Sequence, residues 1–203
     1  EAAIKPDDAH YARTRLLTLE NTWGGQVLPL PYIEAATALA RSRGLATHLD
    51  GARLFNAAVA SGLPAREIAR RFDSVSVCFS KGLGTPAGSA LCGSRALIAS
   101  AHRWRKMAGG GMRQSGVLAA AALHALDHHV QRLADDHANA RRLADGLRGL
   151  SGVSVTPPQT NIVFVELVPE KATGAVERLR QRGVLATGLY RLRLVTHLDV
   201  SAG

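Results

Sequence analysis

Lys81, Asp50 and Arg53 are the side chains of this sequence whose types and spacing could do chemistry together. Lys81 ends the run Ser74-Val-Ser-Val-Cys-Phe-Ser80, in which Val75, Val77 and Phe79 alternate with Ser74, Ser76 and Cys78, the period of a strand with one buried face. Gly82, Gly84 and Pro86 follow, bar an early helix and let the backbone approach whatever the lysine touches. An amine just past an apolar strand is poorly solvated, which favours the neutral nucleophile that condenses with an aldehyde. Alone, the pattern also describes a surface lysine in a turn.

Asp50 supplies the second half of a site. Leu45-Ala-Thr-His-Leu49 reads as a short apolar strand ending in Asp50-Gly51-Ala52-Arg53, with a helical pattern between it and the lysine strand. Ligands of parallel α/β sheets lie beyond the carboxyl ends of the strands, so consecutive parallel strands put Asp50 and Lys81 at one edge. Pyridoxal phosphate uses both groups, an amine for its aldehyde and a carboxylate to keep its ring nitrogen protonated. Arg53 can lie over the same edge and bond the cofactor's phenolate or a substrate. By itself, Asp-x-x-Arg is more often a helix-start ion pair.

Four stretches carry a resemblance: Leu49-Asp-Gly-Ala-Arg-Leu-Phe-Asn-Ala57, Ser80-Lys-Gly-Leu-Gly-Thr-Pro-Ala-Gly-Ser89, Arg103-Trp-Arg-Lys-Met107 with Gly109-Gly-Gly-Met-Arg-Gln114, and Arg193-Leu-Val-Thr-His-Leu-Asp-Val200. In this order they closely resemble the low-specificity L-threonine aldolases, pyridoxal-phosphate enzymes of the aspartate aminotransferase fold type (fold type I). The resemblance implies a transferase-like α/β fold: a partial large cofactor-binding domain over 1–114 with a parallel-rich sheet, a helical connection over 115–150 and a small, incomplete α/β domain over 151–203. It implies that Lys81 carries the cofactor, that Asp50 and Arg53 hold it, and that Arg113 reaches the cofactor phosphate of a neighbouring subunit. It further implies that His10 meets the substrate hydroxyl and that Arg193 grips the substrate carboxylate. Cleavage of threonine, allo-threonine and related β-hydroxy-α-amino acids to glycine and an aldehyde follows, in a homo-oligomer, dimer or tetramer, with shared active sites. Trp23 stands where many members carry a histidine. Members also have a segment ahead of Glu1 that supplies a phosphate cup and a ring-stacking histidine, and a last helix beyond Gly203, so the isolated chain is expected to bind the cofactor weakly and turn over little. Another β-eliminating lyase of the same cofactor class, or a non-catalytic fragment, are the competing readings.

The elements that must position these groups are legible in outline. Arg15–Leu19 reads as a strand, Pro31 to Arg43 as a helix ended by Gly44, then a strand over 45–49, helices over 52–60 and 64–71, and the lysine strand. A further strand is expected over 88–92, and Ser94 caps a helix running through Trp104. Leu126, Val130, Leu133, Ala140, Leu143, Leu147 and Leu150 recur at helical spacing, predicting a long amphipathic helical region after Ser115. Strands are expected over 153–155, 161–165, 184–186 and 191–196, with a helix over 172–181.

With 203 residues and 46% hydrophobic content the chain can bury a substantial core. The formal charge of +9 raises nucleic acid as a partner. The arginines, however, are dispersed over helical patterns and aromatics are too few to stack on bases, so no nucleic acid is expected. His124 and His128 are four apart without the glutamate of a zinc helix, and Gly109–Gly111 lacks a Gly-Lys-Ser/Thr, so neither a metal nor a nucleotide loop is expected. Cys78 and Cys92 lack metal spacing and read as reduced thiols of a cytoplasmic protein. No run is long enough for a membrane span.

Overall fold

The computed structural model describes residues 1–188 and 191–202. Its first sheet has the order β1 (Leu16–Glu20), β2 (Ala46–Gly51), β3 (Ser74–Cys78), β4 (Ser89–Gly93). The first three strands are parallel, with Glu20 opposite Asp50 and Asp50 opposite Ser76; β4 returns antiparallel, Ser89 opposite Cys78. Alternation sends Leu49, Val75 and Val77 into a core with Ile33, Leu54 and Ile68. His48, Asp50, Ser74, Ser76 and Cys78 take the other, half-buried face. Strand β2 runs through Asp50 to Gly51 rather than stopping before the carboxylate. Gly51 is required there, because a side-chain carbon would come within 2.7 Å of the Ser76 carbonyl oxygen.

Helices α1 (Leu30–Ser42), α2 (Leu54–Ser61) and α3 (Ala65–Ala69) connect the parallel strands and cover the apolar face. Ser94 caps α4 (Arg95–Met107), accepting from the Leu97 amide at 3.3 Å. Helix α4 buries none of its residues.

The amphipathic region after Ser115 is two helices, α5 (Gly116–His128) and α6 (Leu133–Leu147), not one. The break falls at 129–132, where His129 and Arg132 turn towards the loop after Lys81. Helix α6 then spans the two halves of the chain. Its Leu133 packs with Leu83 and Ala125, and its Ala140 and Ala144 pack on the second sheet beside Val163, Val165 and Leu192.

That second sheet is antiparallel, in the order β5 (Val153–Thr156), β6 (Ile162–Leu167), β7 (Arg191–Val195). The helix expected over 172–181 is split into α7 (Pro169–Ala172) and α8 (Ala175–Arg180), because Gly174 adopts a left-handed φ of 70°. No strand forms over 184–186. Gly183 turns the chain with φ 79°, and among the described residues of this segment only Thr187 bridges to β7, accepting from the Arg193 amide.

Candidate active site

The parallel register brings the carboxyl ends of β1, β2 and β3 to one edge, and the charged groups of that edge surround Arg53. Arg53 follows β2 by two residues and is half-buried. Burial holds its pKa below the ordinary arginine value and Arg193 pushes the same way, while Glu20, Cys78 and Asp50 oppose them. Arg53 therefore lies within the fields of both Asp50 and Arg193, the latter from the second sheet.

Arg53 and Lys81 share a cavity of about 420 Å³ with Asn161, Val195, His197 and Leu198. Lys81 itself is exposed, against the expectation of a poorly solvated amine, because it sits in an open turn beyond β3 whose carbonyl accepts from the Gly84 amide. Asp50 lines a separate recess of about 380 Å³ with Glu20, Trp23 and Tyr32. The two groups thus share an edge but not a cavity, and Arg53 links them. Among the described residues, the bond that Asp50 makes through its side chain is from the Ala52 amide to Oδ1, 3.0 Å.

Four buried polar atoms at this edge have no partner among the described residues: Asn21 Nδ2, Thr22 Oγ1, Arg53 Nε and Asn161 Oδ1. The amide orientations are fixed, since Asn21 Oδ1 accepts from Leu28 N at 3.1 Å and Asn161 Nδ2 donates to the Thr196 carbonyl at 3.0 Å. Buried polar atoms are rarely left unpaired, so these four take their partners from water or a ligand.

The loop after Lys81 is held from behind. The His129 ring bonds the Leu83 carbonyl at 2.7 Å, and Arg132 reaches both the Gly82 carbonyl at 3.5 Å and Asp136 Oδ2 at 3.3 Å. A side chain at position 82 would meet Leu133 at 2.8 Å, so the loop rests directly on α6. Asp136 is fully buried; burial pushes its carboxyl pKa up, against the pull of Arg132. Its backbone carbonyl accepts from Thr196 Oγ1 at 2.6 Å. One helix start therefore grips both the lysine loop and the strand that ends at the cavity.

His137, the next residue, is buried and shares a hydrogen bond with Asn56 Nδ2 at 3.1 Å, as the neutral ring's acceptor. Burial lowers its pKa from 6.5 to about 4, with Arg141 acting in the same sense. The unfolded chain then binds a proton that the folded one refuses, so stability falls as pH drops from 6.5 towards 4. The expected slope from this group is up to about 1.4 kcal/mol per pH unit, and Asp136 contributes with the opposite sign. Urea titrations across this range should show a smaller acid loss in His137→Gln than in the unsubstituted chain.

The remaining expected residues lie elsewhere. His10 is on the N-terminal turn, its side chain 89% exposed and bonded to Asp8 at 2.7 Å, and does not line the lysine cavity. Arg113 is exposed in the turn between α4 and α5. Arg193 is exposed on β7, opposite Phe164, on the same strand face as Val195, which lines the cavity. Asn161, His129, Arg132 and Asp136 were not singled out in the sequence. Asp136 there looks like one more acid on a solvated helix face, and no signal short of the fold marks the others. Among the described residues no group of three or more His, Cys, Asp or Glu could hold a metal ion, and no helix is long and apolar enough to cross a membrane.

The pattern of the beta-eliminating lyase family matches residues 1–170. The chain belongs to that family. Within it, the chain is 53% identical over 198 residues to the low specificity L-threonine aldolase of Escherichia coli (strain K12), covering 98% of this chain and 59% of that protein. It is 42% identical to the low-specificity L-threonine aldolase 1 of Arabidopsis thaliana, covering 99% of this chain and 60% of that one. The solved structure of a Leishmania major threonine aldolase superposes with a TM-score of 0.78 at 22% identity, over 96% of this chain and 59% of that one, which shows the shared fold. The chain thus spans about three fifths of the length of these family members.

Proposed function

We propose that this chain is the larger part of a pyridoxal-phosphate lyase that cleaves threonine, allo-threonine and related β-hydroxy-α-amino acids to glycine and an aldehyde. The observation that carries the reading is the edge where Lys81 and Arg53 share a cavity and Asp50 stands within the field of Arg53. The names of the similar proteins point the same way.

The residues fit the cofactor. A cavity with two cations against one carboxylate, Asp199, and with the unpaired Nε of Arg53 on its lining suits an anionic, hydrogen-bonding ligand. Lys81 would hold the aldehyde carbon and Arg53 Nε the phenolate oxygen from their shared cavity, and Asp50, which lines a separate recess at the same sheet edge, is assigned to the ring nitrogen. When bound, the cofactor supplies an electron sink for the pair released from the substrate's Cα–Cβ bond. The chain's residues do the rest by placement. Arg193, adjacent to the cavity through Val195, offers a planar two-pronged donor to the substrate carboxylate. His10 is assigned to the substrate hydroxyl, brought in by the N-terminal segment.

Arg113 is assigned to the cofactor phosphate of a second copy, in a dimer or tetramer. Helix α4, which buries none of its residues fully and leaves Trp104 and Met107 both 65% exposed, supports an interface between copies on that side. In this reading 1–114 is the cofactor-binding domain, 115–150 the connection and 151–203 the smaller domain. The free thiols of Cys78 and Cys92 suit a cytoplasmic setting.

Product analysis tests the proposal. Threonine incubated with the protein at its native length and pyridoxal phosphate should yield glycine and acetaldehyde in equal amounts. Ammonia and a 2-keto acid in their place would transfer the protein to the eliminating chemistry named by its family.

A further inference from the structure

Asn161 is 1% exposed, lines the cavity that holds Lys81 and Arg53, and carries an oxygen with no partner among the described residues. Its amide nitrogen is committed to the Thr196 carbonyl at 3.0 Å, so the free atom is an acceptor and the amide cannot turn to offer a donor. Its backbone is fixed too, because the Asn161 carbonyl accepts from the Thr196 amide at 3.0 Å. Thr196 is itself anchored to α6 through the Asp136 carbonyl. This is a rigidly held acceptor in a cavity whose lining carries two cations, Arg53 and Lys81, and one carboxylate, Asp199.

We infer that Asn161 Oδ1 receives an N–H of the substrate's α-amino group as the amino acid enters. The inference rests on the proposed amino-acid substrate and then follows by elimination. A carboxylate has acceptors only and is repelled by an amide oxygen. The β-hydroxyl must surrender its proton to a base during cleavage, and an amide oxygen is not one. The α-amino group is left, a strong donor that must come to the same cavity because it reacts next to Lys81. Leu198, lining that cavity, gives the substrate's carbon skeleton an apolar wall. In the sequence Asn161 only opens the strand expected over 161–165, and strand periodicity carries no sign of a buried acceptor.

The test compares ligands with and without the amine, on the cofactor-loaded protein at its native length. The encounter affinity of glycine, before its amine condenses, is taken from the concentration at which the rate of the cofactor's absorbance change half-saturates, and 3-hydroxybutanoate, which keeps carboxylate and hydroxyl but lacks the amine, is measured as a competitive inhibitor. Asn161→Ala should weaken glycine about tenfold, the value of one hydrogen bond to a charged donor, and leave inhibition by 3-hydroxybutanoate within about twofold. Equal weakening of both ligands by Asn161→Ala, or no change in either, overturns the inference. An unsubstituted protein that binds no amino acid while holding the cofactor overturns the functional reading itself, and the inference with it.

Discussion

Lys81→Ala protein is expected to purify without bound chromophore and to cleave threonine at least about four orders of magnitude more slowly than the unsubstituted protein. The loss follows from position. The strand β3 delivers this side chain into a glycine-rich turn at the edge of a parallel sheet, and no second lysine lines its cavity. Lys81→Arg keeps the charge and should fail as completely, because a guanidinium stays protonated and cannot act as the nucleophile. The variants should fold normally, since Lys81 is exposed and makes no side-chain hydrogen bond among the described residues. Thermal unfolding within about 2 °C of the unsubstituted cofactor-free protein would separate lost chemistry from lost structure. A Lys81→Ala protein that keeps near-normal turnover would remove the lysine from the mechanism.

Arg132→Ala should cost about 3–5 kcal/mol of stability, the penalty for leaving a buried carboxylate without its cation. Asp136 is fully buried, and Arg132 is its ion-pair partner at the start of α6. The double variant Arg132→Met with Asp136→Leu should recover most of that loss, since removing both charges also removes the desolvation that the pair must offset. The same arginine bonds the Gly82 carbonyl, one residue past Lys81. The double variant is therefore expected to regain stability without regaining full cofactor affinity. Urea unfolding of the single and double variants, read beside cofactor titrations, checks both statements; equal stability of Arg132→Ala and the unsubstituted chain would contradict the first.

Much of this arrangement is legible in the residues. Lys81 and Asp50 stand out because each ends an apolar strand, and the period-two pattern of β2 and β3 predicts the parallel unit that sets them at one edge. What the pattern cannot carry is the side of a loop or the degree of exposure. Lys81 reads as desolvated because the strand before it is apolar, yet the turn opens it to solvent. Asp50 reads as facing the lysine, yet lines its own recess with Glu20 and Trp23, because a side chain's exact direction at a strand end depends on the neighbouring strand. The helix start that grips the lysine loop was invisible for another reason. His129, Arg132 and Asp136 act through partners 46 to 60 positions away in the chain, at Leu83, Gly82 and Thr196. Local periodicity has no access to such pairings. The missed break between α5 and α6 has the same origin: the apolar spacing continues through 129–132, while tertiary bonds to the lysine loop draw that turn out of helical geometry.

Trapping the cofactor on the protein tests the central claim most directly. The protein is mixed with pyridoxal phosphate, reduced with borohydride so that any carbon–nitrogen double bond becomes permanent, digested and mapped by mass spectrometry. A single phosphopyridoxyl group on Lys81 is expected, with Lys5, Lys106 and Lys171 unmodified and a lower yield in Asp50→Asn. A label distributed over those other lysines, or absent from Lys81, would contradict the assignment of this edge as the cofactor site.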